Sequence, residues 1–167
     1  MRVTKSPSVL NTLFPSYVWK IKTDEKVLYL TFDDGPTPEI TSQALDILKE
    51  YNAKATFFCV GKNVQENPVL FKRLGDEGHA IGNHTFNHIK GWKSDDSVYL
   101  KDIHQAHQLI DSSLFRPPYG RIRPQQAKQL QSQGYKIIMW DVLSYDWDSS
   151  LSVSYTHLTL PTKFLVW

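Results

Sequence analysis

Little in this sequence points to a special compartment or to a charged partner. One cysteine is present, so no internal disulfide can form. That residue, Cys59, lies in the apolar run Ala55-Thr56-Phe57-Phe58-Cys59-Val60, a setting for a small buried hydrophobe rather than a nucleophile. No stretch approaches the roughly 20 consecutive apolar residues of a membrane-spanning helix. Met1 to Pro7 lacks the apolar core of a secretory signal, so a cytoplasmic location is the default expectation. An excess of one charge is also missing: 19 basic and 17 acidic residues, interspersed, leave a net charge of +2. Such a balance gives no electrostatic footprint for nucleic acid or anionic lipid. Internal repeats and low-complexity linkers are absent as well.

What is there is enough for one domain with a core: 167 residues, 41% hydrophobic and 13% aromatic. Val27 to Phe32 is β-branched and aromatic and ends abruptly at Asp33-Asp34-Gly35-Pro36, which predicts a buried strand. Thr37-Pro38 then opens a helix whose apolar face is Ala44, Leu45, Ile47, Leu48 and Tyr51. Ala55 to Val60 reads as the next strand. Asn67-Pro68 starts a helix that buries Val69, Leu70 and Leu74 and stops near Gly78, and His79 to Gly82 is a short strand. Ser94-Asp95-Asp96 caps a longer helix carrying Val98, Tyr99, Ile103, Ala106, Leu109 and Ile110. After the turn Arg116-Pro117-Pro118-Tyr119-Gly120, Pro124 begins a helix ending at Gly134, and Tyr135 to Trp140 is a further strand. Alternating strands and helices predict right-handed βαβ units around a parallel sheet, where ligands gather at the C-terminal strand ends. Asp33-Asp34, His84 and Asp146 all fall at such ends.

Two histidine pairs compete as metal ligands. His84 and His88 are four apart, the spacing that shares one face of a helical turn, and they follow a buried strand. His104 and His107 are three apart among Lys101, Asp102, Gln105 and Gln108, which reads as a solvated helix face. Adjacent Asp33 and Asp34 at a buried strand end repel and are costly to desolvate. An ordinary Asp-Gly-Pro turn could tolerate them; a cation would relieve them, one carboxylate ligating it and the other held nearby as a base. His, His and Asp with a vacant position is the ligand set of a catalytic site.

Thr31-Phe32-Asp33-Asp34-Gly35, His84-Thr85-Phe86-Asn87-His88 and Phe115-Arg116-Pro117-Pro118-Tyr119-Gly120, in this order, resemble the motifs of the polysaccharide deacetylase family, also called NodB-homology or carbohydrate esterase family 4 domains. The resemblance covers about residues 25 to 150, with Asp146-Trp147 as a fourth motif. It implies an α/β fold, an incomplete and distorted (β/α) barrel with a parallel sheet. It also implies an activity, hydrolysis of N-acetyl groups on sugars of a polysaccharide such as peptidoglycan or chitin-like oligomers. By the same resemblance Asp33 is the general base, and Asp34, His84 and His88 hold a divalent metal, zinc first, with cobalt, nickel or manganese as alternatives. Arg116 would orient the base and pair with Asp146. Tyr119 would turn its backbone N–H toward the oxyanion, and Pro118, Tyr119 and Trp147 would line the substrate, Trp147 as an apolar wall. The plainer readings are a rigid proline loop for Arg116 to Tyr119 and a core aromatic for Trp147.

The chain also departs from the family. No fifth motif follows Trp147 to supply the acid that protonates the leaving amine, and His157 is the only downstream histidine. Val153 to Thr162 resembles the translation of a transposase sequencing adapter. The expected organisation is therefore a lead-in at 1–24, a truncated deacetylase domain at 25–151 lacking its last strands, and a non-native tail at 152–167. A genuine short β-strand tail is the alternative, which Leu158, Leu160 and Phe164 permit. Such a chain is expected to be weakly active or inactive, and poorly soluble through its open strand edges. The rival reading is a non-catalytic metal- or glycan-binding module. A glycan is the expected partner, and the sequence fixes no oligomeric state.

Overall fold

A computed structural model describes residues 5–146 and the pair 163–164. Five parallel strands form the main sheet in sequential order: β2 (Thr31–Asp33), β3 (Thr56–Cys59), β4 (Ala80–Asn83), β5 (Leu114–Phe115) and β6 (Lys136–Ile137). Sequential parallel order requires a crossover between every pair, and right-handed crossovers that all step the same way curl a sheet toward a (β/α) barrel. The crossovers are α2 (Pro38–Glu50), α3 (Gly61–Glu66) with α4 (Pro68–Asp76), α5 (Asp96–His107) and α6 (Pro124–Ser132).

The predicted strand at Val27 to Phe32 is split. β1 (Val27–Leu28) pairs in parallel with β7 (Lys163–Phe164), whereas β2 alone joins the main sheet. The predicted strand at Tyr135 to Trp140 keeps only two sheet residues in β6. Beyond them Val18 bridges Ile138 in parallel, its N–H donating to the Ile137 carbonyl at 2.8 Å and its carbonyl accepting the Met139 N–H at 2.8 Å. The lead-in, which includes α1 (Val9–Leu13), thus borders the β6 edge that was expected to be open. Apart from residues 163–164, the segment expected to be foreign lies outside the described residues.

Two apolar clusters fill the interior. Leu45, Leu48, Phe57, Val64, Leu74 and Ile110 make one, and Tyr99, Ile103, Phe115, Leu130 and Ile137 the other. Cys59 is fully buried, as its apolar run predicts. Five expected core residues are not: Ile47, Tyr51, Val69, Val98 and Leu109 are exposed. Short helices bury only a narrow stripe, and apolar side chains flanking it remain at the surface. In α2 that stripe is Thr41, Leu45 and Leu48. Thr37 does precede α2, but its hydroxyl makes no cap; its N–H donates to Thr41 Oγ1 at 2.8 Å instead. α3 was not anticipated, because only Gly61 and Val64 of its six residues are buried and no period shows.

Candidate metal centre and active site

Asp34 follows β2 and His84 follows β4, so the parallel sheet brings both to one edge. His84 Nε2 lies 3.3 Å and His88 Nε2 3.0 Å from the same oxygen, Asp34 Oδ1. These three residues form the one group of possible metal ligands found among the described residues, with donor atoms within 4.8 Å of one another. Corners of a tetrahedron with arms of about 2.0–2.1 Å stand about 3.3 Å apart, so the set fits a small divalent cation. His84 is buried, and its Nδ1–H donates to the Arg116 carbonyl at 2.7 Å, because a carbonyl can only accept. That bond turns Nε2 toward the carboxylate, so Nε2 is the ring nitrogen placed to ligate a shared cation. Hydrogen bonding to His84, then to His88, holds the Asp34 carboxyl well below the usual carboxylate range and outweighs its partial burial. Asp34 therefore offers an anion.

The histidine pair is not helical. Thr85 and His88 hold φ of 67° and 54°, and the segment is a left-handed loop. The i, i+4 spacing converges here through those two residues rather than through a helical face. Asp34 (φ 69°) and Tyr119 (φ 60°) are left-handed too, so four of the six non-glycine residues of this kind among the described residues lie in the site's motifs. Each costs of order 1–3 kcal/mol, a cost that surrounding structure must hold in place.

Asp102 and Asn83 are what hold the loop, and sequence reasoning missed both. Asp102 Oδ1 accepts the Phe86 and Asn87 N–H groups at 2.8 and 3.0 Å, and its Oδ2 accepts Asn87 Nδ2 at 2.6 Å. Asn83 Oδ1 accepts the Thr85 N–H at 2.8 Å. Asp102 was assigned to a solvated face, yet it is buried; an acid inside an otherwise apolar stripe with Tyr99, Ile103 and Ala106 was the available signal. Asn63, on the unanticipated α3, donates to the Asp34 carbonyl at 2.6 Å. His104 and His107 remain apart from any centre: His104 Nε2 meets Gln133 Oε1 at 2.7 Å, and His107 packs edge-on to Tyr135.

Asp33 is anchored by Arg116, whose Nη1 donates to Asp33 Oδ1 at 2.8 Å and to Thr31 Oγ1 at 2.7 Å. Its Nε donates to the Ile138 carbonyl and its Nη2 to the Met139 carbonyl. The guanidinium centre sits 4.1 Å over the Phe58 ring and 5.6 Å over that of Trp140. Burial pushes the Arg116 pKa down and Asp33 pushes it back up. The expected Asp146–Arg116 pair is not formed. The four hydrogen bonds of Arg116 go to the oxygens above, and Asp146 is exposed.

Pro117 leads into a 3-10 turn, Pro118–Gly120, in which Pro118 is buried and Tyr119 is 53% exposed. The Tyr119 ring lies 4.7 Å from that of His88. Gly120 has φ +63°, and a Cβ there would fall 2.5 Å from the Trp140 ring, so only glycine lets this turn lie against the strand end. Beside the centre is an open cavity of about 370 Å3 lined by Asp34, Val60, Lys62, Asn63, Asn87 and His88. Trp147, expected as a wall, lies outside the described residues.

A parallel α/β sheet with a His–His–Asp cluster and a clamped carboxylate at its strand ends defines a metal-centre protein of the barrel-derived class. The chain belongs to the polysaccharide deacetylase family, whose sequence profile it matches over residues 20–138. It is 42% identical over 127 residues to a peptidoglycan-N-acetylglucosamine deacetylase of Bacillus cereus, covering 73% of this chain and 60% of that protein. It is 36% identical to the peptidoglycan-N-acetylmuramic acid deacetylase PdaA of Bacillus subtilis, covering 83% of this chain and 56% of that protein. The chain therefore spans little more than half the length of these curated relatives. The crystal structure of the Bc1960 peptidoglycan N-acetylglucosamine deacetylase superposes with a TM-score of 0.80 at 33% identity, covering 90% of this chain and 75% of that one.

Proposed function

We propose that this protein is a metal-dependent N-deacetylase acting on an N-acetylated sugar polymer of the peptidoglycan type. The observation that carries the reading is the convergence of Asp34, His84 and His88 beside Asp33, an acid clamped by a buried arginine. Asp34, His84 and His88 would hold the cation, for which zinc is the proposal, since two imidazoles and one carboxylate suit it. When bound, zinc lowers the pKa of water and polarises an amide carbonyl.

The protein's own groups do the rest. Arg116 occupies Asp33 Oδ1, which leaves Oδ2 to take the proton of the attacking water. Because Arg116 is itself fixed by two carbonyls, the base is aimed before substrate arrives. The left-handed Tyr119 is assigned to present its N–H to the oxyanion, a donor typically worth about 3 kcal/mol. Its exposed ring and the cavity flanking His88 offer the sugar a platform and a floor.

Acetate release from an N-acetylated glycan by the purified, zinc-loaded chain tests this reading. Asp33→Asn is expected to lower the rate by about 10²–10⁴-fold while zinc still binds. A chain that binds glycan and zinc but releases no acetate would instead support the binding-module reading.

A further inference from the structure

The cation nearest the Tyr119 rim is Lys90, which neither the metal centre nor the Arg116 clamp uses. Its Nζ lies 4.4 Å above the Tyr119 ring, whose centroid is in turn 4.7 Å from that of the metal-ligating His88. The ammonium is therefore one aromatic ring away from the reacting corner. Among the described residues no carboxylate lies within ion-pair distance of it, in contrast to Lys72 and Arg73, which do have acidic partners.

The position is built rather than incidental. Ile89, before it, packs against the second apolar cluster. Gly91, after it, is buried so tightly that a Cβ would meet Gln126 Oε1 at 2.9 Å, the Arg121 carbonyl at 3.0 Å and Tyr99 Cζ at 3.1 Å. The Gly91 carbonyl accepts Gln126 Nε2 at 3.0 Å, and the Lys90 carbonyl accepts the Lys93 N–H and the Ser94 hydroxyl, both at 3.0 Å. The main chain on both sides of Lys90 is fixed, and the exposed side chain is directed by its contact with Tyr119. A cation held this way, with no carboxylate partner among the described residues, fits an anion on the ligand.

We propose that Lys90 is a specificity-determining residue, selecting N-acetylated sugars whose ring carbon next to the acetamido-bearing one carries an acidic ether substituent ending in a carboxylate. The proposal rests on the deacetylase reading and names the substrate class within it. The carboxylate of a lactyl ether on the neighbouring ring carbon lies only a few bonds from the scissile amide. With that amide at the His88 corner, such a substituent would extend toward the Tyr119 rim where Lys90 stands. A neutral N-acetylglucosamine polymer offers nothing to this ammonium.

The test compares two soluble substrates on the full zinc-loaded chain: neutral chitin oligomers, and muramyl glycan fragments with a free lactyl carboxylate. Wild type is expected to prefer the muramyl fragments in kcat/KM and to lose the preference as salt is raised. Lys90→Met is expected to lower the muramyl-to-chitin ratio by about three- to tenfold, through KM rather than kcat, and Lys90→Arg to keep it. An unchanged ratio in Lys90→Met, or an equal fall with both substrates, overturns the proposal. Affinities for the same two glycans, measured by calorimetry, separate the two readings. If no acetate is released, the deacetylase reading fails and the affinity ratio still decides the role of Lys90. If neither glycan binds, both are overturned.

Discussion

Arg116 is 2% exposed and charged, a combination that costs several kcal/mol unless its donors are met. Its fork meets four oxygens in fixed directions, which a lysine cannot copy even though it keeps the charge. Arg116→Lys is therefore expected to lower unfolding stability by about 2–4 kcal/mol, measured by denaturant titration, and to lower kcat more than it raises KM. Cys59 gives a second test at this scale. Burial, and then the charge of Asp33, push its thiol well above the ordinary value, so it stays protonated and unreactive at neutral pH. Iodoacetamide is expected to leave the folded protein unlabelled at pH 8 and to label it once guanidinium is added. Asp33, Asp34, His84, His88 and Arg116 stood out in the sequence because they lie in short motifs, Thr31 to Gly35, His84 to His88 and Phe115 to Gly120, that resemble those of a known family. Asp102 did not, because its value depends on a loop fifteen or sixteen residues away folding back over α5. The partner of Arg116 was misjudged for a related reason: its donors meet the main-chain carbonyls of Ile138 and Met139, and main-chain acceptors leave no trace in a residue pattern.

At the scale of elements, α5 acts as the backing plate of the metal loop. Three donors of residues 86–87 converge on the Asp102 carboxylate, so Asp102→Ala would orphan them and free the loop from its left-handed shape. Zinc affinity is expected to weaken by about 10–100-fold, read by competition with a chelating dye. The helices themselves were readable from their caps and prolines: α2, α4 and α6 each carry proline in the first turn. Which of their apolar residues would be buried was less readable. Periodicity marks a face, but the neighbouring element decides how wide a stripe it covers, as exposed Ile47 and Val69 show. The edge of β6 makes the same point. Nothing in Tyr17-Val18-Trp19 announces a strand, yet Val18 pairs with the strand end that supplies two of Arg116's acceptors.

For the molecule as a whole, the metal centre joins segments separated by about fifty residues of chain, so ligation and folding are coupled. Zinc at 100 times its dissociation constant is expected to add about 2.7 kcal/mol of stability, visible as a rise in the melting midpoint that chelation reverses. That gain is expected to shrink as pH falls, because protons and the cation compete for the same imidazole lone pairs. A parallel sheet with helical crossovers was anticipated from alternation, since parallel strands need crossovers, but the two-residue β5 and the strand order were not. The split at Tyr29-Leu30 was hidden inside a continuous apolar run. Arg116 has one further consequence. Its main-chain carbonyl holds His84 Nδ1 while its side chain holds Asp33, so a single residue sets the register between the proposed base and the proposed ligand. Transplanting this centre into another scaffold would thus mean moving a stretch of backbone together with its side chains. Copying the four ligand and base residues alone would yield a site out of tune.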